Sequence, residues 1–392
     1  MDDFGFLMDE NEPVATRSFR GESGAEHFIA IRAPAGFGFA EQLDQVRRRY
    51  AEARRTLGLG PETAVFRRVF VSDAMNQAAA VVDSDLVASA EDGPVAVSIV
   101  QQPPLPGAKV ALLAYHIEGA APVAKRRLSP NHVLVEKGAL RHLWSTRLCA
   151  GADGSDVSPA TQTRGIFDDL VGTLASQGGT LGDNCVRTWI YVKDVDVFYQ
   201  GMVASRSALF NEHGLTRDTH YIASTGIEGA CAHRYDLVAM DAYSVFGLAP
   251  GQMSYLNDFD RLCATKDYGV TFERGTRIGY ADRTHHFISG TASIDNAGRV
   301  VHPGDVQRQL ERALVNVEAL LRSGAAKLDD LMHLTVYLRD PADFARVDRY
   351  LSDRWPDLPI LIVQGAVCRP EWLIEVEGIA IAAADAPGLP AF

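Results

Sequence analysis

The residues with the most chemical potential in this chain lie close together near its end, in Cys368-Arg-Pro-Glu-Trp-Leu-Ile-Glu375-Val-Glu-Gly-Ile-Ala380. Residues 374–381 alternate as a strand does, which places Glu375 and Glu377 on one face and Ile374 and Val376 on the other. Two acids on a short apolar strand cost solvation energy unless something uses or pairs them. Beside Ile374, Val376 and Trp372, burial would lift the Glu375 carboxyl towards neutral pH and make it a proton donor. Glu377 reads as its scaffold partner, paired with an arginine. Cys368, seven residues before Glu375, is either a nucleophile or a pocket wall, and lone cysteines in strands are more often the latter. His285-His286 would suit a metal, but neighbours on a strand point to opposite faces and no partner stands at ligand spacing. No metal is expected. Gly21 and Gly24 sit in no strand-to-helix context and no Walker or dinucleotide motif occurs, so no cofactor is expected either.

These residues need a scaffold, and 392 residues are too many for one small core; two or three domains are expected. A net charge of -12 without a basic run argues against a nucleic-acid partner, whose phosphates would demand a surplus of Lys and Arg. The five cysteines are scattered without CxxC spacing, which fits a reducing compartment rather than a disulfide framework. The start of the chain is acidic and lacks a signal peptide's basic and apolar regions. No apolar run approaches the roughly 18 residues of a membrane helix. A soluble, cytoplasmic protein with no membrane partner is the expectation.

One pattern recurs three times along the chain. In the last third, a helix at 306–321 ends at a Gly turn, a strand at 331–340 closes on Asp340, and a helix at 343–355 and strands at 358–367 and 373–382 follow. The middle third repeats this with a helix at 161–175, a strand at 185–194, a helix at 197–213, and strands at 221–227 and 236–245. In the first third the elements are a helix at 39–57 ending at Gly58, a strand at 66–73, a helix at 76–87, and strands at 95–101 and 109–117. Hairpins at 28–32, 132–149 and 271–294 open the three units. The order β-β-α-β-α-β-β implies an α+β fold: a mostly antiparallel sheet with two helices on one face. The predicted domains are 1–120, 121–250 and 251–392, with seams at 118–129 and 247–260. In this alignment the positions matching Glu375 are Ala111 and Ala239, so one of three equivalent positions carries an acid.

Ser289-Gly-Thr-Ala-Ser-Ile, Gly304-Asp305 with Gln309, Thr335-Val-Tyr-Leu-Arg-Asp340 and Ile374-Glu-Val-Glu-Gly-Ile-Ala380 together resemble the RidA/YjgF family. That resemblance implies chorismate-mutase-like domains, which assemble as trimers with ligand sites between subunits. Three in one chain then imply a monomeric pseudo-trimer with clefts between its domains; whether it associates further is open. In RidA enzymes an acid of the final strand activates water on an imine, and here it falls on Glu375. The arginine of the preceding strand has no counterpart in Leu358-Pro-Ile-Leu-Ile-Val-Gln364.

The chain is more similar to the chorismatases of the same superfold, which cleave the enolpyruvyl ether of chorismate. Cys368-Arg precedes the strand glutamate by the same seven residues, and Arg187-Thr-Trp189-Ile-Tyr191 is similar to their Arg-x-Trp-Asn-Tyr strand. Tyr199 with Arg206, Ser224-Thr225-Gly-Ile-Glu228 and Phe272-Glu-Arg274 also match in order. The resemblance implies Glu375 as proton donor and Cys368 as nucleophile or shaper of the ring pocket. Gly290, Tyr199 and Thr225 would line the site. Arg206, Arg274 and Arg354 are candidate forks for the substrate carboxylates. The expected reaction releases pyruvate from chorismate or a related small carboxylate, leaving a hydroxybenzoate or dihydroxycyclohexadienoate. The alternatives are a RidA-type enamine/imine deaminase and a non-catalytic small-ligand-binding pseudo-trimer.

Overall fold

The computed structural model describes residues 14–119, 123–151, 154, 157–263, 265 and 270–392. Its strands form three separate sheets. The first holds β1 (Val14–Gly21), β2 (Gly24–Arg32), β3 (Ala64–Val71), β4 (Ala96–Gln101) and β5 (Val110–Glu118) in the order β1-β2-β5-β3-β4. The second holds β6 (Ala124–Arg127), β7 (His132–Lys137), β8 (Leu140–Cys149), β9 (Cys185–Val192), β10 (Ala223–Glu228) and β11 (Val238–Phe246). In the third are β12 (Met253–Tyr255), β13 (Gly275–Gly279), β14 (Arg283–Ala292), β15 (Leu331–Leu338), β16 (Ile360–Gln364) and β17 (Ile374–Ala383). The second and third sheets repeat the order of the first, as β7-β8-β11-β9-β10 and β13-β14-β17-β15-β16, and β6 and β12 extend their outer edges. Within each repeat only the last edge pair, β3/β4, β9/β10 or β15/β16, is parallel. The fold is α+β, three times over.

Helices fall where the pattern requires. α1 (Phe39–Leu57), α2 (Ala74–Val82) and α3 (Asp85–Ala88) belong to the first unit. α4 (Pro159–Ser176), α5 (Leu181–Asn184) and α6 (Val195–Glu212) belong to the second, and α7 (Val306–Ser323) and α8 (Phe344–Arg354) to the third. Two of the three acidic stops after the third strands have a local cause in capping, whereas Asp194 precedes α6 in a left-handed conformation without a side-chain cap. Asp73 accepts from the Asn76 amide to cap α2, and Asp340 accepts from the Ala342 amide in the turn before α8. Gly58 ends α1 at φ 72°, a left-handed conformation that glycine adopts without a Cβ penalty. The helix read at 76–87 is broken instead: the Ser84 hydroxyl donates to the Val81 carbonyl at 2.7 Å and the chain restarts as α3. Both predicted seams are partly structured, since β6 and β12 lie in them.

The sheets meet face to face around a shared aromatic centre. Phe66 stacks on Trp144 at 4.6 Å, Trp144 touches Tyr243 at 4.4 Å, and Tyr243 approaches Phe287 at 5.3 Å, so all three sheets are joined. Burying such rings contributes a few kcal/mol each, at about 25 cal/mol per Å² of apolar surface. The opposite faces pack on helices: Leu143, Ile190 and Met240 against Phe167 and Leu209, and Ile29 and Leu112 against Leu43 and Val46. At the seams, edge backbones meet directly, with bridges between Gln101 and Ala230, Ile227 and Val367, and Pro104 and Val363. Among the described residues no helix is long and apolar enough to cross a membrane.

Candidate active site

A polar cleft lies at the seam between the second and third sheets, where β10 runs beside β14. The Ser224 amide donates to the Ser289 hydroxyl at 2.9 Å, and Ala223 bridges Glu273. β14 is irregular at this point. Its pairing with β17 passes from Ile288–Gly378 to Thr291–Val376, so Ser289 and Gly290 together oppose Glu377. Such a bulge re-aims side chains beside it. It also requires glycine: a Cβ on Gly290 would stand 2.1 Å from Oε1 of Glu375 and 3.0 Å from the Thr225 side chain.

The resulting cavity has a volume of about 350 Å³, room for a small organic acid. Glu375 forms its floor from β17. One face of α6 supplies Tyr199 and Arg206, and β10 supplies Ser224 and Thr225. Phe272 and Arg274 come from the approach to β13, and Cys368, Arg369 and Trp372 from the loop between β16 and β17. Gly226 lets the Tyr199 ring lie on β10, since a Cβ there would meet the ring at 3.1 Å. Of the eight residues singled out in the sequence, seven line this one cavity: Glu375, Cys368, Arg206, Arg274, Tyr199, Thr225 and Gly290.

Glu375 is 5 % exposed, and burial, reinforced by the charge of Glu377, pushes its pKa up to about 8 against the pull of Arg187 and Arg274. Glu377 is in a different situation. Arg187 donates to it at 2.7 Å, and the Trp189 indole and the Tyr337 hydroxyl each donate at 2.9 Å. Thr225 donates as well, and Arg68 stands 3.6 Å away. Adjacent acids on one strand face thus divide into one whose proton is held by burial and one paired with donors. Burial and the nearby Glu375 push the Cys368 thiol up to about 12, while a hydrogen bond with Tyr199 pulls the other way. A thiol so held is a poor nucleophile at neutral pH.

Arg206 is 1 % exposed with Nε 3.3 Å from the Thr271 hydroxyl, and Arg274 is 3 % exposed and donates to the Cys263 carbonyl at 3.2 Å. Two buried guanidiniums and Arg369, which lies over the Trp372 ring at 4.7 Å, make the cavity strongly cationic. Arg354 does not join them. It is exposed in the last turn of α8 and stacks on Trp355 at 4.7 Å. The reason is topological: the helix over this cavity is α6 of the second unit, whereas Leu351 and Ser352 of α8 line the cleft between the third and first sheets. The two histidines diverge as adjacent strand residues must, His285 to Glu26 at 2.9 Å and His286 to the Gly324 carbonyl at 2.9 Å.

Sequence reasoning did not single out Arg369 or Arg187 as site residues, although both stood inside quoted motifs. The available signal for Arg187 was a charge midway along an otherwise apolar strand, which has to be paired if buried. The strand registers also define equivalent positions in the three units. Phe70 pairs with Ala111, Tyr191 with Ala239 and Tyr337 with Glu375.

Fold and site together define a three-unit α+β protein with a cationic, acid-bearing cleft between two units. The third unit matches the family model described as Endoribonuclease L-PSP over residues 279–382. A RutC family protein of Pyrococcus abyssi is 33% identical over 96 residues, 24% of this chain and 76% of its own length. A 3-aminoacrylate deaminase RutC of Acinetobacter baylyi is 28% identical over 96 residues, 24% of this chain and 76% of the relative. Among solved structures, a chorismatase superposes with a TM-score of 0.62 at 21% identity, covering 81% of this chain and 93% of its own; this likeness is one of fold. The chain belongs to the RidA/YjgF superfamily, with the RutC proteins among its relatives.

Proposed function

We propose that this chain is a chorismatase-like enzyme that opens the enolpyruvyl ether of chorismate, or of a closely related small carboxylate, and releases pyruvate. The observation that carries this reading is the Glu375 carboxyl, lifted to about 8 inside a 350 Å³ cavity lined by Arg206, Arg274 and Arg369. At neutral pH such a group is mostly protonated, and the arginines suit carboxylates. Glu375 gives its proton to the methylene carbon of the enol ether, which leaves positive charge on the ether carbon. Water then adds there, and collapse of the hemiketal yields pyruvate and a dihydroxycyclohexadienoate. If the ring alcohol carries the next step instead, pyruvate and a hydroxybenzoate result without net consumption of water. Cys368 stays a thiol in this scheme and, with Gly290, shapes the ring pocket. No metal or cofactor takes part, and the partner is the small carboxylate itself.

An enamine is protonated at carbon in the same way, and the 28% identity to a 3-aminoacrylate deaminase favours that second reading. Incubation with chorismate, with pyruvate measured by a coupled assay, separates the two. Pyruvate release that disappears in Glu375→Gln is the expected result. Absence of pyruvate, with ammonia released from a short enamino acid, would transfer the site to the deaminase reading. Thermal stabilisation by chorismate without turnover would reduce it to a binding module.

A further inference from the structure

β10 and β14 line the cavity beside Glu375 with Ser224, Thr225, Gly226, Gly290 and Ala292, and the charged or titratable groups come from the other elements around it. Its own strand carries Glu377, β15 carries Tyr337, and β9 carries Arg187. The approach to β13 brings Arg274, α6 brings Tyr199 and Arg206, and the loop before β17 brings Cys368 and Arg369. Arg187 and Arg274 favour the Glu375 anion, and Glu377 is the acid that opposes them. Glu377 is 2 % exposed, and the polar atoms around it are donors: Arg187, Trp189 and Thr225 from the second unit, Tyr337 from the third, and Arg68 across from the first. Guanidiniums and an indole can only donate, and the Thr225 hydroxyl already accepts from Arg187 and from the Gly290 amide, so these surroundings suit a carboxylate.

We propose that Glu377 is the positioning residue of this site: a fixed negative charge, clamped by all three units, that keeps the proton on the neighbouring Glu375. The proposal rests on Glu375 as the proton donor but reaches beyond it. It gives the first unit, which has Ala111 where the third has Glu375, a part in the chemistry through Arg68. It also explains why two acids lie side by side on one strand face. Remove the charge of Glu377 and the facing guanidiniums, no longer offset, stabilise the Glu375 anion, so that its proton is lost to solvent at lower pH.

The test uses the full-length protein without substrate, so it does not depend on what the enzyme acts on. The protonated-carboxyl band of Glu375, identified by its loss in Glu375→Gln, is titrated by infrared difference spectroscopy. The wild-type midpoint is expected near about 8. In Glu377→Gln it should fall by about one pH unit or more, since charges a few ångströms apart in a protein interior interact by more than 1 kcal/mol. An unchanged midpoint in folded Glu377→Gln overturns the proposal. Tyr337→Phe removes one donor and leaves the charge, so there the midpoint holds or rises. A fall in that variant also overturns the proposal, because packing rather than charge would then set the proton affinity, and this arm decides if Glu377→Gln does not fold. With chorismate as substrate, the alkaline limb of the pyruvate-release profile should move down in Glu377→Gln by the same amount. If no pyruvate forms in any variant, the chorismate reading fails while the titration still decides the role of Glu377.

Discussion

The seam between the second and third units and the seam between the first and second are built alike and end differently. In both, the second strand of the sheet carries a bulge. Ser289 and Gly290 oppose Glu377 in one, and Thr146 and Arg147 oppose Asp241 in the other. Both scaffold acids are clamped by donors: Asp241 accepts from Arg68 at 3.2 Å, Tyr191 at 3.1 Å and the Arg147 amide at 3.0 Å. Two residues along the strand the seams part, for Glu375 has Ala239 as its counterpart, and Gly290 has Arg147 at φ 56°. The third seam has neither feature. β2 runs against β5 without a bulge, and Ala111 and Leu113 occupy the two acid positions. A clamped acid at a bulge is therefore a device for joining units, and the proposed reaction centre is the seam where a second acid and a glycine are added.

The sharpest way to break this comparison is to remove the second acid. Glu375→Gln should lower pyruvate release by about two to four orders of magnitude, the range for a general acid, while the fold survives because Gln fills the same space. The same variant has a thermodynamic signature. The native state holds a proton on Glu375 up to about 8 that the unfolded chain releases near 4.5. The stability tied to that proton is complete below about 4.5, falls as pH climbs to about 8, and then levels off. Buried histidines gain stability over the acid half of that window, so the readout is the difference between wild-type and Glu375→Gln urea melts, which should fall by a few kcal/mol across it. A difference that stays level over the same range would show the carboxyl to be ionised. Acid-side losses have other sources, since burial holds His142 and His333 down to about 3 and both must take up charge as pH falls.

The bulge residues give the next largest contrast. Gly290→Ala places a methyl 2.1 Å from Oε1 of Glu375, so the carboxyl must swing away. Turnover should fall by about a hundredfold, with a stability cost of about 1–3 kcal/mol, as for overpacking elsewhere. Arg147→Gly at the matching bulge relieves a left-handed residue, and its melting curve should lie within about 1 kcal/mol of wild type. Equal stability losses in the two variants would mean that the bulges share one packing constraint and that the glycine serves no chemistry.

How much of this could be read in advance follows from what each feature depends on. Helices and strands were readable because local periodicity and capping residues such as Asp73 and Asp305 set them within a few residues of their observed ends. The repeat was readable because helix, strand and acidic stop recur in the same order. The break between α2 and α3 was not, since it depends on one Ser84 hydroxyl turning back on its own helix. Site residues held by resemblance in linear order came together, whereas Arg354 was chosen for its charge alone and lies on the helix of the wrong seam. Arg187 and Arg369 were passed over for the converse reason. The importance of Arg187 arises from a contact across units, with Glu377 in the third, and that of Arg369 from the loop that carries it to the cavity wall; no spacing along the chain records either.

The arginines supply the smallest and most discriminating test. A guanidinium on a cavity wall with its side chain almost wholly buried is in place to meet a substrate carboxylate; an exposed one stacked on a tryptophan is not. Arg274→Lys keeps the charge and loses the planar fork, so its effect should appear as a rise in KM of about tenfold, worth about 1.4 kcal/mol. Arg354→Ala should leave KM and kcat unchanged and shift stability by no more than about 0.5 kcal/mol, as for an exposed side chain without a special role. If Arg354→Ala raised KM as Arg274→Lys is expected to, substrate would have to bind at the seam of the third and first units. That seam has no acid at either position, so the result would separate binding from the acid-bearing cleft and undo the contrast between the seams.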